Sequence, residues 1–318
     1  MDFLDFEKPI VELEKQIEEL KLAAASSESS VDLDHEINTL TGKYETLTKE
    51  IFSKLSEWQI AQLARHPERP KALDVIQSIV PNFRELHGDR MFADDKAIVS
   101  GLGTIKNLSL LFIAQEKGQD TKSRIFRNYG MPKPEGYRKA QRLMKLAEKF
   151  SMPIVTIIDT PGAYPGVGAE ERNIAESIAY NLREMMLLRT QIIAIVIGEG
   201  GSGGALGIGV ADKVMMMENS YYSVISPEGC AAILWKDRKY APDAANAMRL
   251  DAKNLKRLGV IDRIVREPSK GAHTNPSLAA KNLKDSILEA YEDLSSVPID
   301  QLLEQRYKKY RAMGEFIG

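Results

Sequence analysis

The segment Ile195-Val-Ile-Gly-Glu-Gly-Gly-Ser-Gly-Gly-Ala-Leu-Gly-Ile208 sets six glycines in fourteen residues between two apolar runs. It predicts a buried strand over Gln191 to Ile197, a glycine turn, and a short helix opening near Ser202. Glycine tolerates φ > 0 and lets another molecule come close to the backbone. At a helix N-terminus the first N–H groups also lack intrahelical acceptors and carry the positive end of the dipole. Such a turn can offer two amides to an oxygen that carries or acquires negative charge, as an oxyanion hole does. A flexible linker would not be clamped between Ile-Ala-Ile-Val-Ile and Ala-Leu-Gly-Ile.

Dinucleotide binding is the main rival. Gly198-Glu-Gly200-Gly-Ser-Gly203 fits G-x-G-x-x-G after a strand, and Glu218 stands near the place of a ribose-binding acid. Against it, only about eight residues are available for the helix, whereas a parallel crossover usually needs a dozen or more. A phosphate-binding P-loop is excluded, since no Lys-Ser or Lys-Thr follows the glycines.

A second glycine loop lies one strand earlier. Pro153-Ile-Val-Thr-Ile-Ile158 reads as a strand covered on both faces, and it runs into Asp159-Thr-Pro-Gly-Ala-Tyr-Pro-Gly-Val-Gly168. A helix is expected from Ala169 to about Leu188. Two successive strand–loop–helix units put both loops at one end of a sheet, where α/β sites usually lie.

These stretches resemble a known family. Asp159 to Arg172, Gly198 to Ala205 and Ser223-Val-Ile-Ser-Pro-Glu-Gly-Cys230 are similar to the carboxyltransferase α subunit of bacterial and plastid multi-subunit acetyl-CoA carboxylase. Trp58 to Pro67, Gly88-Asp-Arg90 with Ala93-Asp-Asp-Lys96, and Asn128-Tyr-Gly-Met-Pro132 with Pro134 to Lys139 extend the likeness along the chain. The resemblance implies a crotonase-like α/β fold of repeated ββα units. It implies transfer of the carboxyl group of carboxybiotin, carried on the biotin carboxyl carrier protein, to acetyl-CoA, giving malonyl-CoA for fatty acid biosynthesis. The Gly203 and Gly204 amides would then form the hole for the biotin ureido oxygen. Gly162, Ala163, Tyr164, Gly166, Gly200 and Gly201 would line the biotin and substrate site. A zinc-ribbon β subunit would complete an α2β2 heterotetramer, and biotin carboxylase would act elsewhere in the larger complex.

The remaining sequence is compatible. Net charge is −2 over 318 residues, with 43% hydrophobic residues and one cysteine. That suits a cytoplasmic chain without disulfides and gives no ground for nucleic-acid binding. No run of about 20 apolar residues predicts a membrane span, and the acidic start is unlike a signal peptide. Heptad stripes at Ile10, Leu13, Ile17 and Leu20, and from Leu33 to Ile51, predict a helical hairpin in residues 1–60, joined through Ala23 to Ser30. The carboxyltransferase domain is expected over 61–296 and a helical tail over 297–318. Asp74 to Glu85 reads as a helix, and Ala97 to Ala114 as a β-hairpin turning at Lys106-Asn107.

Lys117, Lys122, Arg124 and Arg127 are expected in a loop. Lys122, Arg124 and Arg127 are candidates for CoA-phosphate or carrier contacts. The following helix would leave Arg138, Lys139, Arg142, Lys145 and Lys149 on its polar faces. Ser226-Pro-Glu is explained by helix capping, and Cys230 reads as a small buried residue. His66 and His273 are expected as ordinary surface or capping residues, no metal ligand set is read, and no G-x-S-x-G nucleophile elbow is read. A stand-alone crotonase-type hydratase would instead need Glu199, Glu170 or Glu171 as acid or base.

Overall fold

A computed structural model describes residues 3–26 and 31–314. Helices α1 (Lys8–Ser26) and α2 (Val31–Ser53) form the expected hairpin, packed on each other. Ile10 and Ile17 are buried in it. Helix α1 continues through Ala23, so the expected connector is helical as far as Ser26, and residues 27–30 lie outside the described residues. The hairpin also touches the body of the chain: Lys270 Nζ reaches Glu14 Oε1 at 3.1 Å and lies over the Tyr44 ring.

Helices α3 (Glu57–Ala64) and α4 (Ala72–Ile79) follow. The helix expected over Asp74 to Glu85 stops early, because Pro81 has no N–H to continue it. Arg84–Glu85 instead forms the edge strand β1 beside β2 (Ile98–Ile105). Strand β3 (Leu108–Gln115) pairs antiparallel with β2 through the Lys106-Asn107 turn, where Lys106 has φ 53°.

The expected basic loop contains a helix, α5 (Thr121–Phe126), because Asp120 accepts from the Ser123 amide and caps it. Helix α6 (Pro134–Lys149) then leads to β4 (Ile154–Thr160). The helix expected from Ala169 is broken into α7 (Val167–Glu170) and α8 (Ile174–Leu187) at Asn173, whose φ is 64°. Strand β5 (Ile192–Gly201), α9 (Ser202–Leu206), β6 (Lys213–Met217) and β7 (Tyr221–Ser223) come next. Helices α10 (Pro227–Leu234), α11 (Ala241–Met248) and α12 (Ala252–Arg257) precede β8 (Arg263–Val265), which is shorter than the expected Gly259 to Val265. Helices α13 (Pro276–Ser295) and α14 (Ile299–Arg311) follow β8.

The strands make one mixed sheet in the order β1-β2-β3-β4-β5-β6-β8, with β7 beside the far end of β5. From β3 onward the pairing is parallel. Alternation along β4 and β5 builds two cores. Ile154, Ile158, Ala194 and Val196 pack with Tyr137 and Ala140 of α6 and Met185 of α8. Val155, Ile157, Ile193 and Ile195 pack with Ile76 of α4 and Leu283 and Ile287 of α13. Burial on both faces explains why β4 from Ile154 to Ile158, Thr156 apart, and β5 from Ile192 to Ile197 are apolar. Arg306 of α14 is 1% exposed and forks onto Asp212 at 2.7 and 2.8 Å, locking the tail under the sheet.

One half-buried acid gives the fold a pH signature. Glu57 Oε1 accepts from Asn254 Nδ2 at 2.8 Å beside the Asp251 cap of α12. Burial, then the Asp251 carboxylate, pushes the Glu57 carboxyl up to about 8. The folded chain therefore keeps a proton that the unfolded chain, with an ordinary carboxyl near about 4.3, has released. Stability from this group is present below that value and is lost as pH rises through about 8. Glu57→Gln keeps the acceptor and removes the titration. Its melting temperature should gain on the native chain between pH 5 and pH 8.5; a gap that stays constant with pH contradicts this.

Candidate functional site

Both glycine loops leave the carboxyl ends of adjacent parallel strands, and a buried charge network joins their roots. At Asp159 the pairing of β4 with β5 slips by a β-bulge, turning the Asp159 carboxylate toward β5. Asp159 Oδ1 accepts from the Glu199 amide at 3.0 Å and from Lys117 Nζ at 2.7 Å. Lys117 Nζ also donates to Glu199 Oε2. Glu199 Oε1 accepts from Arg65 Nε at 2.6 Å and from the Tyr221 hydroxyl at 2.5 Å. Arg65 goes on to Glu228 of α10 at 2.5 Å and to the Tyr221 oxygen at 2.7 Å. Burial by itself would raise the Glu199 carboxyl, but the Lys117 and Arg65 charges outweigh it and hold the group at about 2. It is a fixed anion at neutral pH, unsuited to the acid–base role of a hydratase. Glu170 and Glu171 are exposed and do not join it.

Above this network the two loops touch. A Cβ on Gly201 would meet Pro161 O at 2.3 Å, and one on Gly204 would meet Gly162 C at 2.3 Å and Ala163 N at 2.4 Å. Gly162 has φ +154° and is pinned by Thr160, whose Oγ1 accepts from the Gly162 amide at 3.1 Å and donates to its carbonyl at 2.7 Å. Tyr164 folds over Gly166, and a Cβ on Gly200 would strike Tyr222 at 2.7 Å. The predicted residues Gly162, Ala163, Tyr164, Gly166, Gly200, Gly201, Gly203 and Gly204 thus form one continuous patch.

Helix α9 begins with Gly201 as N-cap and no side-chain acceptor, so the Gly203 and Gly204 amides sit in its uncapped first turn. The peptide carrying the Gly204 N–H is oriented by the Gly207 amide on Gly203 O, at 3.0 Å. Gly204 O is held by Gln115 Nε2 at 2.7 Å and the Tyr137 hydroxyl at 3.0 Å. Gly203 is open: a Cβ there would find only Ile178, at 3.8 Å. Beside it lies a cleft of about 280 Å³ lined by Ser202, Leu206, Tyr222 and Val224.

The elbow expectation is corrected. Gly200-Gly-Ser202-Gly-Gly204 has the G-x-S-x-G spacing, and Ser202 takes the strained φ of 53° at the strand-to-helix turn. Yet the Ser202 hydroxyl has no hydrogen-bond partner among the described residues, so nothing there serves as its base. The elbow presents amides, not a nucleophile.

Other expectations meet mixed outcomes. Glu218 lies at the end of β6, facing the α2 groove, and accepts from the Glu267 amide at 3.4 Å, so it serves no glycine-loop ribose. Lys139 is fully buried on Asp94 at 2.6 Å, not on a polar face. Lys122 is exposed, Arg124 half-buried, and Arg127 is engaged with Lys96 O at 2.9 Å. Ser226 caps α10 as expected, accepting from the Gly229 amide at 3.1 Å, while Cys230 is half-exposed rather than buried.

His66 and His273 are not surface residues. Their rings stack 3.9 Å apart, and His273 Nε2 faces Glu7 Oε1 at 3.3 Å. This trio is the one cluster of metal-ligand type among the described residues. Because His66 Nδ1 accepts from the Glu68 amide at 3.2 Å, the neutral His66 ring carries its proton on Nε2.

Sequence reading missed Arg65, Lys117 and Tyr221 as a set, since they are far apart in the chain. Glu199→Ala would leave Lys117 with Asp159 alone and Arg65 with Glu228 alone, across the space the carboxylate had filled. It should cost about 1.5–3 kcal/mol of stability through the lost charged hydrogen bonds, measured by urea unfolding; a loss below about 1 kcal/mol would reduce the network to a surface-type pair.

A family model described as acetyl co-enzyme A carboxylase carboxyltransferase-like matches residues 3–314. The acetyl-coenzyme A carboxylase carboxyl transferase subunit alpha of Hydrogenovibrio crunogenus is 56% identical over 316 residues, covering 99% of this chain and 98% of that one. Its counterpart in Xanthomonas campestris pv. campestris strain B100 is 54% identical over 317 residues, covering 100% and 99%. Among solved structures, transcarboxylase 12S with methylmalonyl-coenzyme A bound superimposes with a TM-score of 0.58 at 18% identity, over 72% of this chain and 42% of that one. A Pseudomonas malonate decarboxylase hetero-tetramer in complex with coenzyme A gives 0.57 at 16% identity, over 77% and 92%. The architecture is thus the crotonase-like α/β fold of carboxyltransferases, and the chain belongs to the acetyl-CoA carboxylase carboxyltransferase α-subunit family.

Proposed function

We propose that this chain is one half of a carboxyltransferase site. It would supply the oxyanion hole for the biotin ureido oxygen, while a β subunit supplies the hole for the acetyl-CoA thioester. The observation that carries the reading is the pair of uncapped amides at Gly203 and Gly204, on an open face beside an apolar cleft. When bound, carrier-borne carboxybiotin supplies CO2 and takes the methyl proton of acetyl-CoA. This chain then needs amide donors and a shaped wall, not a side-chain base, and the permanently charged Glu199 is consistent with that. The wall is Gly162, Ala163, Tyr164 and Gly166 from the first loop, with Gly200 and Gly201 from the second.

The same surface supports a covering partner. Leu206, Val224, Ile233, Leu234 and Trp235 are exposed around the cleft and on α10, with Val224 at 79%. A patch of this kind suits a covering subunit, here a zinc-ribbon β subunit in an α2β2 assembly that receives the biotin carboxyl carrier protein. Lys122 and Arg124 would meet CoA phosphates or the carrier. The division of labour would run from a hairpin (1–60) through the carboxyltransferase body (61–296) to a helical tail (297–318). No described helix is long and apolar enough to cross a membrane, and we assign the chain to the cytoplasm and to malonyl-CoA supply for fatty acid biosynthesis.

The defining experiment mixes the purified chain with β subunit, carboxylated carrier and acetyl-CoA. Malonyl-CoA should appear only when both subunits are present; formation by this chain alone at the full rate would refute a half-site. Within that assay the two glycines should separate. Gly203→Val has room to fold and should keep its melting temperature while losing on the order of 100- to 1000-fold in rate. Gly204→Val must displace the Gly162–Ala163 backbone, so it should lose stability as well as activity. Normal turnover by Gly203→Val would move the chemistry elsewhere. Lys122→Ala with Arg124→Ala should raise KM for acetyl-CoA more than it lowers kcat, since remote phosphate contacts are made equally in ground and transition states. An unchanged KM would return both residues to the solvated surface.

A further inference from the structure

A second cleft, of about 560 Å³, opens between α6, α8 and the turn at Asp89 to Met91, and it shares no lining residue with the glycine loops. Four basic side chains and two acids, Asp89 and Glu176, line it. Two of the basic groups are already matched: Arg138 Nε meets Asp89 Oδ2 at 2.9 Å, and Lys145 Nζ lies 3.1 Å from Glu184 and 3.3 Å from Glu148. Arg90 and Arg142 have no carboxylate partner within 4.0 Å among the described residues.

These two unmatched groups are nevertheless brought together. The His87 carbonyl accepts from Arg90 Nη1 at 2.9 Å and from Arg142 Nη2 at 3.2 Å, so both guanidinium groups meet at one oxygen. Arg142 Nε is held besides by Gly88 O at 3.1 Å. Arg90 has φ 65°, and Arg90 Nη1 lies 2.8 Å from where a Gly88 Cβ would be, so the turn is shaped around the guanidinium. Burial, then the Arg90 charge, lowers the Arg142 pKa, with Asp89 opposing. Each group still has N–H donors to offer after its carbonyl bonds.

We propose that Arg90 and Arg142 form a binding site for a phosphate group. Two planar forks held at one carbonyl suit a doubly charged oxyanion with several acceptor oxygens, which can take both forks at once. A single carboxylate would neutralise only one of the two charges. The phosphate has two possible sources of the same chemistry: the nucleotide end of a coenzyme A, or free orthophosphate. The site rests on this cleft alone and stands whether or not the glycine-loop reading does.

The test uses the full chain and two probes, 3′,5′-ADP and inorganic phosphate, titrated calorimetrically at constant ionic strength. Binding by the native chain should weaken at least tenfold in the Arg90→Gln/Arg142→Gln variant, which keeps donors for the His87 carbonyl and should melt normally. The single Arg142→Gln variant, with one fork left, should fall between them. Binding confined to 3′,5′-ADP would identify coenzyme A as the source, and equal binding of both probes would identify free phosphate. Absence of binding by either probe at millimolar concentration, or equal binding by native and double-variant chains, would overturn the site.

Discussion

Lys117 is the interaction on which the site depends. Its ammonium group is buried between Asp159, at the root of the first glycine loop, and Glu199, at the root of the second. Burial would drive a lysine toward neutrality, yet the two carboxylates raise its pKa and keep it charged. Removing either anion would leave the lysine with a carboxylate on one loop root only, so the tie between the two roots needs all three groups. The bulge at Asp159 is what lets one carboxylate meet both the lysine and the Glu199 amide.

That clasp has a mechanical result. The strands fix the two roots, and the glycines above them then approach within distances that admit no Cβ, as at Gly201 on Pro161 and Gly204 on Gly162. Arg65 and Tyr221 extend the same network to α3 and α10, tying the segments before and after the glycine loops to Glu199. The loops are therefore rigid despite their composition. Rigidity is what a set of amide donors needs, because preorganised dipoles stabilise developing charge without reorganising.

Much of this was legible in the sequence for physical reasons. The unbroken apolar runs of β4 and β5 demanded burial on both faces, and the glycines after them demanded close backbone approach. Capping chemistry alone located α10 at Ser226. What the sequence hid were relations between distant residues. Nothing local distinguishes Lys117 from its basic neighbours, and it read as one more solvated charge. Lys139 misled in the same way, its buried bond to Asp94 lying across 45 residues. The histidines misled because polar, proline-containing context usually means surface, whereas His66 and His273 stack under α1. The G-x-S-x-G spacing stands in the sequence at Gly200 to Gly204, masked by the surrounding glycines, and the φ of Ser202 shows the sharp turn it makes.

The central claim is that one buried lysine sets the geometry of both loops. Amide hydrogen exchange on the Lys117→Met chain tests it most directly, read at Gly162 and Ala163 in the first loop and at Gly200 to Gly204 in the second. The account predicts faster exchange in both loops together, with α13 and α14 unchanged. Faster exchange in one loop only, or in neither, would contradict it.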